Sequence, residues 1–233
     1  MPPERPSGID MGMLYLVRHG QASFGAADYD QLSELGARQC EALGRWFAQR
    51  GVVFQAVLRG SLRRHVQSLQ ALQEGYGTPL PPLLEWPGLN EYDSHAVVAA
   101  VRSEPLPPAD SVDAYRAHFR ILREGLQAWM AGRTAPVGVP SYPEFVAGVT
   151  GALEHVRQQC DGNVLLVSSG GPISTAVGHV LGTSPDTTIE LNLRIRNSAV
   201  TEFAFTPKRH MLVAYNHLPH LDDAERRGWE TYS

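Results

Sequence analysis

This 233-residue sequence has only two cysteines, no long apolar run and no excess of basic residues. The two cysteines, Cys40 and Cys160, stand alone without metal-ligand spacing, so we expect both to be reduced and predict no disulfide framework. No stretch approaches the ~18 apolar residues of a membrane span, and residues 1–12 lack the apolar core of a signal peptide. We therefore expect a cytoplasmic protein with no membrane partner.

The charge balance argues against a nucleic-acid surface. The formal net charge is −4 and charged residues make up 19% of the chain, so no broad basic face is expected and any anion site must be built locally. The length suits one large α/β domain. We interpret residues 1–12 as a flexible amino terminus and 13–233 as a single domain, in which 94–160 form a largely helical insertion.

The residues around which the chain is organised are 13–20. The apolar run Leu14 to Val17 predicts a strand buried on both faces of a parallel sheet, and it ends in Arg18-His19-Gly20. Open α/β sheets bind ligands at the carboxyl ends of such strands. A neutral imidazole can accept a phosphoryl group, an arginine can donate two hydrogen bonds to its oxygens, and a glycine allows close approach. The alternative is a strand end with a solvent-facing Arg-His pair.

The spacing of apolar residues predicts the remaining elements. Helices are expected over residues 34–49, 95–102, 112–130 and 144–159 and in a segment that ends at 181; strands are expected over 54–58, 164–167, 191–205 and 211–215. The proline-rich residues 78–90 predict a fixed extended path. Residues 94–160 carry no chemical motif, and we interpret them as a lid or side wall that shapes substrate choice.

Two further stretches are typical of anion sites. Arg59, Arg63 and Arg64 cluster at the amino end of a predicted helix, where the helix dipole disfavours cations, so either a bound anion or carboxylate partners should accompany them. Residues 168–172, Ser-Ser-Gly-Gly-Pro, join a strand to a helix and could offer backbone N–H groups to an anion.

These stretches together resemble the histidine phosphatase superfamily, the group that includes cofactor-dependent phosphoglycerate mutase. Residues 16–21, Leu-Val-Arg-His-Gly-Gln, are similar to its opening signature. Residues 60–68 are similar to its Ser-Pro-Leu-x-Arg-x-x-Gln-Thr pattern, with Gly60 and Ser61 in place of Ser-Pro, and 89–91, Leu-Asn-Glu, to the stretch that carries its general acid. The resemblance covers nearly the whole chain. It implies a three-layer α/β sandwich with a mostly parallel central sheet and helices on both faces.

The resemblance also implies roles for individual residues. His19 would be the phosphorylated nucleophile and Glu91 the proton donor, while Arg18 and Arg64 would bind the phosphoryl oxygens. The family's Val-Ser-His-Gly-Gly element reads Val-Ser-Ser-Gly-Gly here, so that Ser169, next to Gly170, replaces the second histidine. A hydroxyl can donate one hydrogen bond to phosphate but carries no charge, so we expect Ser169 and Gly170 to bind phosphate and turnover to be slow.

The hypothesis is therefore a phosphomonoester hydrolase that acts through phospho-His19. Mutase-type phosphoryl transfer is the second enzymatic reading, although residues 92–95, Tyr-Asp-Ser-His, differ from the Arg-His-Tyr-Gly of the family's mutases. A non-catalytic protein that binds phosphorylated ligands is the rival from another class. The expected partner is a small phosphorylated substrate. The sequence is also compatible with a homodimer. We expect no metal and no cofactor, because Arg18 and Arg64 would supply the charge that a metal supplies in other phosphatases.

Three other histidines could contribute to the site. His65 is beside Arg64, and His217 and His220 could fold over from the carboxyl end. For each, a surface or hydrogen-bonded structural role is the simpler interpretation. A metal site at His217 and His220 is a weaker hypothesis, since no carboxylate or cysteine ligand lies beside them in the sequence.

Overall fold

The computed structural model describes residues 11–23, 30–102 and 112–232, with side chains of the last range from 116 onwards. It contains strands β1 (Gly12–Arg18), β2 (Phe54–Arg59), β3 (Leu83–Glu85), β4 (Asn163–Ser168), β5 (Val200–Thr206) and β6 (Arg209–His217). Its α-helices are α1 (Glu34–Gln49), α2 (Arg63–Tyr76), α3 (Ser94–Ala99), α4 (Val112–Met130), α5 (Tyr142–Gln159), α6 (Gly170–Leu181) and α7 (Pro185–Arg194). The predicted flexible amino terminus lies almost wholly outside the described residues.

The strands form one mixed sheet in the order β3-β2-β4-β1-β5-β6. The pairs β2–β3, β2–β4 and β1–β4 are parallel, whereas β5 is antiparallel to both β1 and β6. The predicted α/β fold with a mostly parallel sheet is therefore confirmed. Strand β1 lies inside the sheet, which puts its carboxyl end beside that of β4.

The two faces of the sheet bury separate apolar clusters, as the alternation of side chains along a strand requires. Leu14 and Leu16 of β1 join a cluster that includes residues of α4, α5, α6 and α7. Val17 of β1 joins the cluster on the other face, which includes residues of α1 and α2. Helices thus cover both faces of the sheet. The sheet is the middle layer of three, and packing on both sides holds the ends of β1 and β4 in fixed positions.

Local signals explain why several helices begin where they do. Ser33 caps α1 by accepting a hydrogen bond from the Gly36 N–H group at 3.0 Å, as its position before the apolar pattern indicates. Ser141 and Glu144 form a reciprocal capping box at the start of α5. Helix α5 therefore begins two residues earlier than the predicted start at Glu144, because the capping pair lies in its first turn.

The prediction of a strand over residues 191–205 is wrong for its first part. Residues 185–194 form α7, and the strand β5 begins only at Val200. The start of this helix has clear signals: Ser184 accepts a hydrogen bond from the Thr187 N–H group, and Pro185 occupies the first helical position. Leu191, Leu193 and Ile195 alternate with polar residues, and this period of two is also typical of a half-buried strand.

The proline-rich segment also departs slightly from expectation. Its path is extended at β3, but Pro87–Leu89 form one turn of 3-10 helix just before Glu91. The described part of residues 94–160 is largely helical, as predicted, although its status as an insertion stays a prediction. Both cysteines are free thiols. Within the described ranges, no helix has the length and apolar character to cross a membrane.

Candidate active site

The sequence-predicted residues converge where β1, β2 and β4 end. Arg18 pairs with Ser168 in the parallel ladder, and the His19 N–H group continues that ladder by donating to the Ser168 carbonyl at 2.9 Å. Arg59 ends β2 and pairs with Val167 of β4. The three strand ends therefore present Arg18-His19, the loop from Gly60 and the start of α6 to one common space, as expected for an open α/β sheet.

His19 is buried and has one defined tautomer. Its Nδ1 lies 2.7 Å from the Gly20 carbonyl oxygen, which can only accept, so Nδ1 carries the proton and Nε2 keeps its lone pair. Burial is the main cause that lowers the pKa of His19 well below its usual value, and the charges of Arg18 and Arg64 lower it further. His19 is therefore a neutral imidazole at neutral pH, which is the form that can act as a nucleophile.

The backbone around His19 is fixed on every side. The Ser198 N–H group donates to the His19 carbonyl at 3.1 Å, and the Gly20 N–H group donates to Ser68 Oγ at 3.1 Å. Gly20 also lies directly against α1, because a Cβ on it would come within 2.3 Å of the Gly36 carbonyl oxygen. A side chain at position 20 would displace either the helix or the strand end.

Both predicted phosphate-binding arginines are buried and both face the same space. Arg18 donates to the Ile195 carbonyl, and Arg64 lies at the start of α2, where its Nη1 donates to Asp30 Oδ1 at 2.7 Å. Their positive charges act on His19 and on the Glu91 carboxyl alike. The two guanidinium groups therefore concentrate positive charge beside the imidazole.

The arginine cluster also has the carboxylate partners that were the alternative explanation for it. Arg59 pairs with Glu85 at 2.9 Å, and Asp30 accepts from the Arg63 backbone N–H group as well as from Arg64. Asp30 thus places a negative charge at the amino end of α2, where the helix dipole favours it. Arg59 and Arg64 therefore each have a carboxylate partner.

Glu91 contacts the first turn of α6, the helix that follows β4. Both of its carboxyl oxygens are within 3.2 Å of the Gly171 nitrogen. Burial raises the pKa of Glu91, against the opposing effects of the Gly171 N–H group and the two arginines. A raised pKa increases the share of the protonated acid, which a proton donor needs. The Gly171 N–H group, predicted as part of an anion cradle, is used by Glu91 instead.

The segment that carries Glu91 is held by its neighbours along the chain. Ser168 Oγ donates to the Leu89 carbonyl at 2.7 Å, and the Tyr92 hydroxyl accepts from Asn192 at 2.7 Å. The Tyr92 ring also packs against Trp129 of α4, with ring centroids 5.5 Å apart. Tyr92 thus joins the segment that carries Glu91 to α4, while the role of residues 94–160 as a lid or side wall stays a prediction.

Ser169 and His65 form a contact that the sequence did not reveal. Ser169 stands at the N-cap position of α6, but its hydroxyl makes no capping bond; its Oγ lies 2.7 Å from Nε2 of His65. Both residues are fully buried, and the His65 ring centroid is 5.9 Å from that of His19. Burial, with the charges of Arg64 and Arg59, lowers the pKa of His65 to about 3, so its ring is neutral.

The other two histidines do not come together as a metal site. His217 pairs with Glu202 at 3.0 Å, and His220 Nε2 lies 2.9 Å from Ser198 Oγ. His220 thus contacts Ser198, the residue whose N–H group donates to the His19 carbonyl. Among the described residues, no group of three or more histidine, cysteine, aspartate or glutamate side chains could hold a metal ion.

Comparison with known proteins identifies a family. The sequence model of the histidine phosphatase superfamily (branch 1) matches residues 14–218. This range includes His19 and Glu91 together with the four candidate phosphate-binding residues, Arg18, Arg64, Ser169 and Gly170. A search of curated proteins found no match.

Solved structures of the same fold cover most of the chain. Phosphoglycerate mutase from Bacillus anthracis is 16% identical over 91% of this chain and 96% of its own, with a TM-score of 0.62. A mycobacterial glucosyl-3-phosphoglycerate phosphatase is 22% identical over 88% and 98%, with a TM-score of 0.60. A phosphoserine phosphatase variant from Entamoeba histolytica, in complex with phosphoserine, is 18% identical over 90% and 99%, with a TM-score of 0.57.

Proposed function

Because the chain belongs to the histidine phosphatase superfamily (branch 1), we propose that it is a phosphomonoester hydrolase that forms a phosphohistidine intermediate on His19. Membership of the superfamily supports phosphoryl hydrolysis or transfer on small phosphorylated substrates. The observation that carries the finer proposal is the tautomer of His19. With Nδ1 donating to the Gly20 carbonyl and the pKa lowered, the Nε2 lone pair is available for attack on phosphorus.

The first half of the reaction transfers the phosphoryl group to the enzyme. His19 Nε2 forms a bond to phosphorus while the bond from phosphorus to the leaving oxygen breaks, and Glu91 gives its proton to that oxygen. The guanidinium groups of Arg18 and Arg64 stabilise the charge on the equatorial oxygens. The raised pKa of Glu91 fits this role, since the carboxyl must be protonated when the substrate arrives.

The second half of the reaction releases orthophosphate. Water attacks phosphorus, the bond to His19 Nε2 breaks, and the Glu91 carboxylate takes a proton from the water, which returns both residues to their starting states. The runner-up proposal is mutase-type transfer, in which a second hydroxyl takes the place of water. It draws on the likeness to phosphoglycerate mutase, and the fate of the phosphoryl group separates the two: orthophosphate for a hydrolase, a phosphorylated isomer for a mutase.

The experiment combines trapping with substitution of the nucleophile. The protein is mixed with p-nitrophenyl phosphate, quenched in alkali and digested, and peptides are searched for phospho-His19 by mass spectrometry. We expect the phosphopeptide in the wild type, and no turnover in His19→Ala. His179→Ala, which removes an exposed histidine at the end of α6, is the matched control and should leave the rate unchanged.

Two results would contradict the proposal. Turnover close to wild type in His19→Ala would move the chemistry to another residue. Binding of phosphate without any turnover or phospho-His19, on aryl and alkyl phosphates alike, would favour the non-catalytic phosphate-binding protein. Treatment with EDTA should have little effect on the rate if the arginines supply the positive charge.

A further inference from the structure

The ring of His65 fills the space next to two positions at which this sequence departs from the patterns it resembles. Its Nε2 lies 2.7 Å from Oγ of Ser169, which stands where the second histidine is expected. Its Nδ1 faces Gly60, where a Cβ would come within 2.3 Å of that atom. Glycine at position 60 therefore leaves room for the Nδ1 side of the His65 ring, and serine at position 169 leaves room for its Nε2 side. The two departures adjoin one side chain.

The chain on either side of Ser169 contacts both candidate catalytic residues. The residue before it, Ser168, accepts the His19 N–H group through its carbonyl, and Gly171, two residues after it, donates to Glu91. Along the chain, Ser169 therefore lies between a residue that contacts the candidate nucleophile and one that contacts the candidate proton donor. Its hydroxyl does not cap α6, so it remains available for other partners.

The direction of the hydrogen bond between His65 and Ser169 follows from the other ring nitrogen. Nδ1 of His65 is buried and has no hydrogen-bond partner within the part of the chain that the structure describes. A buried N–H group without an acceptor is rarer and costlier than a buried acceptor without a donor. The neutral ring therefore carries its proton on Nε2 and donates it to Ser169 Oγ, which leaves the serine proton free to point elsewhere.

The opposite direction would make Ser169 a nucleophile with His65 as its base. That arrangement requires a proton on Nδ1, and such bases are normally oriented by a third group that accepts it. No described residue accepts a hydrogen bond from Nδ1 of His65. The geometry therefore favours a donor role for the pair over a serine nucleophile.

We propose that His65 and Ser169 act together as the second phosphoryl-binding group, with His65 as a positioning residue that fixes the Ser169 hydroxyl as a hydrogen-bond donor to a phosphoryl oxygen. The inference rests on the proposed function at His19. An imidazole thus reaches the site from α2 and acts through the serine, instead of projecting from position 169. The pair donates without a positive charge, because the ring of His65 is neutral, and Arg18 and Arg64 supply the charge.

The test compares a replacement that keeps the donor with one that removes it. In His65→Gln the side-chain amide can still donate to Ser169, whereas His65→Leu keeps most of the volume without a donor. For p-nitrophenyl phosphate we expect kcat close to wild type in the first and a loss on the order of tenfold in the second, with KM little changed in either. Ser169→Ala should lower kcat by about 10²-fold, the usual effect of losing one preorganised donor.

The double variant separates a positioning role from two independent roles. If His65 acts through Ser169, His65→Leu should cost nothing further once Ser169→Ala is present. Losses that multiply in the double variant, or equal losses in His65→Gln and His65→Leu, would overturn the proposal. The ¹⁵N chemical shifts of the His65 ring in the wild type need no variant: we expect the proton on Nε2, and a proton on Nδ1 would overturn it.

The outcome at His19 is read separately. Phospho-His19 in the wild type supports the proposed function whatever the His65 variants do. If no phospho-His19 forms while the His65 proton is on Nε2, the proposed function fails and the direction of the hydrogen bond stands. An acid-stable phosphoserine at Ser169 would contradict both, because it would make Ser169 the nucleophile.

Discussion

Placing a histidine at position 169 tests whether the space for an imidazole is already filled. Ser169 Oγ is 2.7 Å from His65 Nε2 and both residues are fully buried, so a ring on position 169 would overlap the ring of His65. Overpacking of this kind typically costs about 1–3 kcal/mol. In a chain of this size each kcal/mol lowers the melting temperature by about 2–4 °C, so Ser169→His should unfold roughly 2–12 °C below wild type.

Removal of the resident ring should relieve the overlap. In the double variant His65→Ala/Ser169→His the imidazole is moved from α2 to the start of α6 at nearly constant volume, which cores tolerate best. We expect its melting temperature and kcat to exceed those of Ser169→His alone, with His65→Ala as the matched control. Thermal unfolding by circular dichroism and turnover of p-nitrophenyl phosphate measure both. If Ser169→His melts at the wild-type temperature and His65→Ala adds nothing, the two rings do not compete for one space.

Two further predictions follow from the pKa shifts in and near the site. Glu91→Gln should slow alkyl phosphates far more than p-nitrophenyl phosphate, whose leaving group departs without a proton; equal losses on both would show that Glu91 is not the acid. His65 and His220 have pKa values lowered to about 3, so between about pH 6.5 and pH 3 the unfolded chain binds more protons than the folded one. These two rings should therefore lower the free energy of unfolding as the pH is reduced through that window, together by up to ~2.7 kcal/mol per pH unit. Urea titrations at several pH values would show it, and a flat profile would refute the burial of these rings as neutral groups.

Much of the fold was predictable because its signals are local. The span of α1 follows from Ser33 at its start, the helical spacing of its apolar residues and Gly51 just after its end. Strand β1 is predicted by four successive apolar residues, Leu14 to Val17, which are followed by the charged Arg18. The exception is α7. The alternation of apolar and polar residues over 191–195 is also compatible with a strand, whereas Ser184 and Pro185 mark the start of a helix.

The pairing of His65 with Ser169 could not be predicted in the same way. The two residues are 104 positions apart, and their contact depends on how β4 and α2 pack across the sheet. The only signal in the sequence is indirect: Gly60 and Ser169 are both smaller than the resembled patterns require, and the histidine between them in space is adjacent to Arg64. Sequence spacing places residues along a strand or helix, but it does not give the distance between side chains from different elements.

The position of β1 in the sheet has a consequence for the synthesis of the protein. This strand is synthesised before the other five strands of the sheet, yet its neighbours are residues 163–168 and 200–206. Until those segments are made, both edges of an apolar strand stay unpaired, which is the state most prone to intermolecular association. The candidate active site therefore cannot assemble before these segments are made, and chains interrupted before Ser198 would lack the N–H group that donates to the His19 carbonyl. A cell that makes this protein would benefit from chaperones that bind the nascent amino-terminal third.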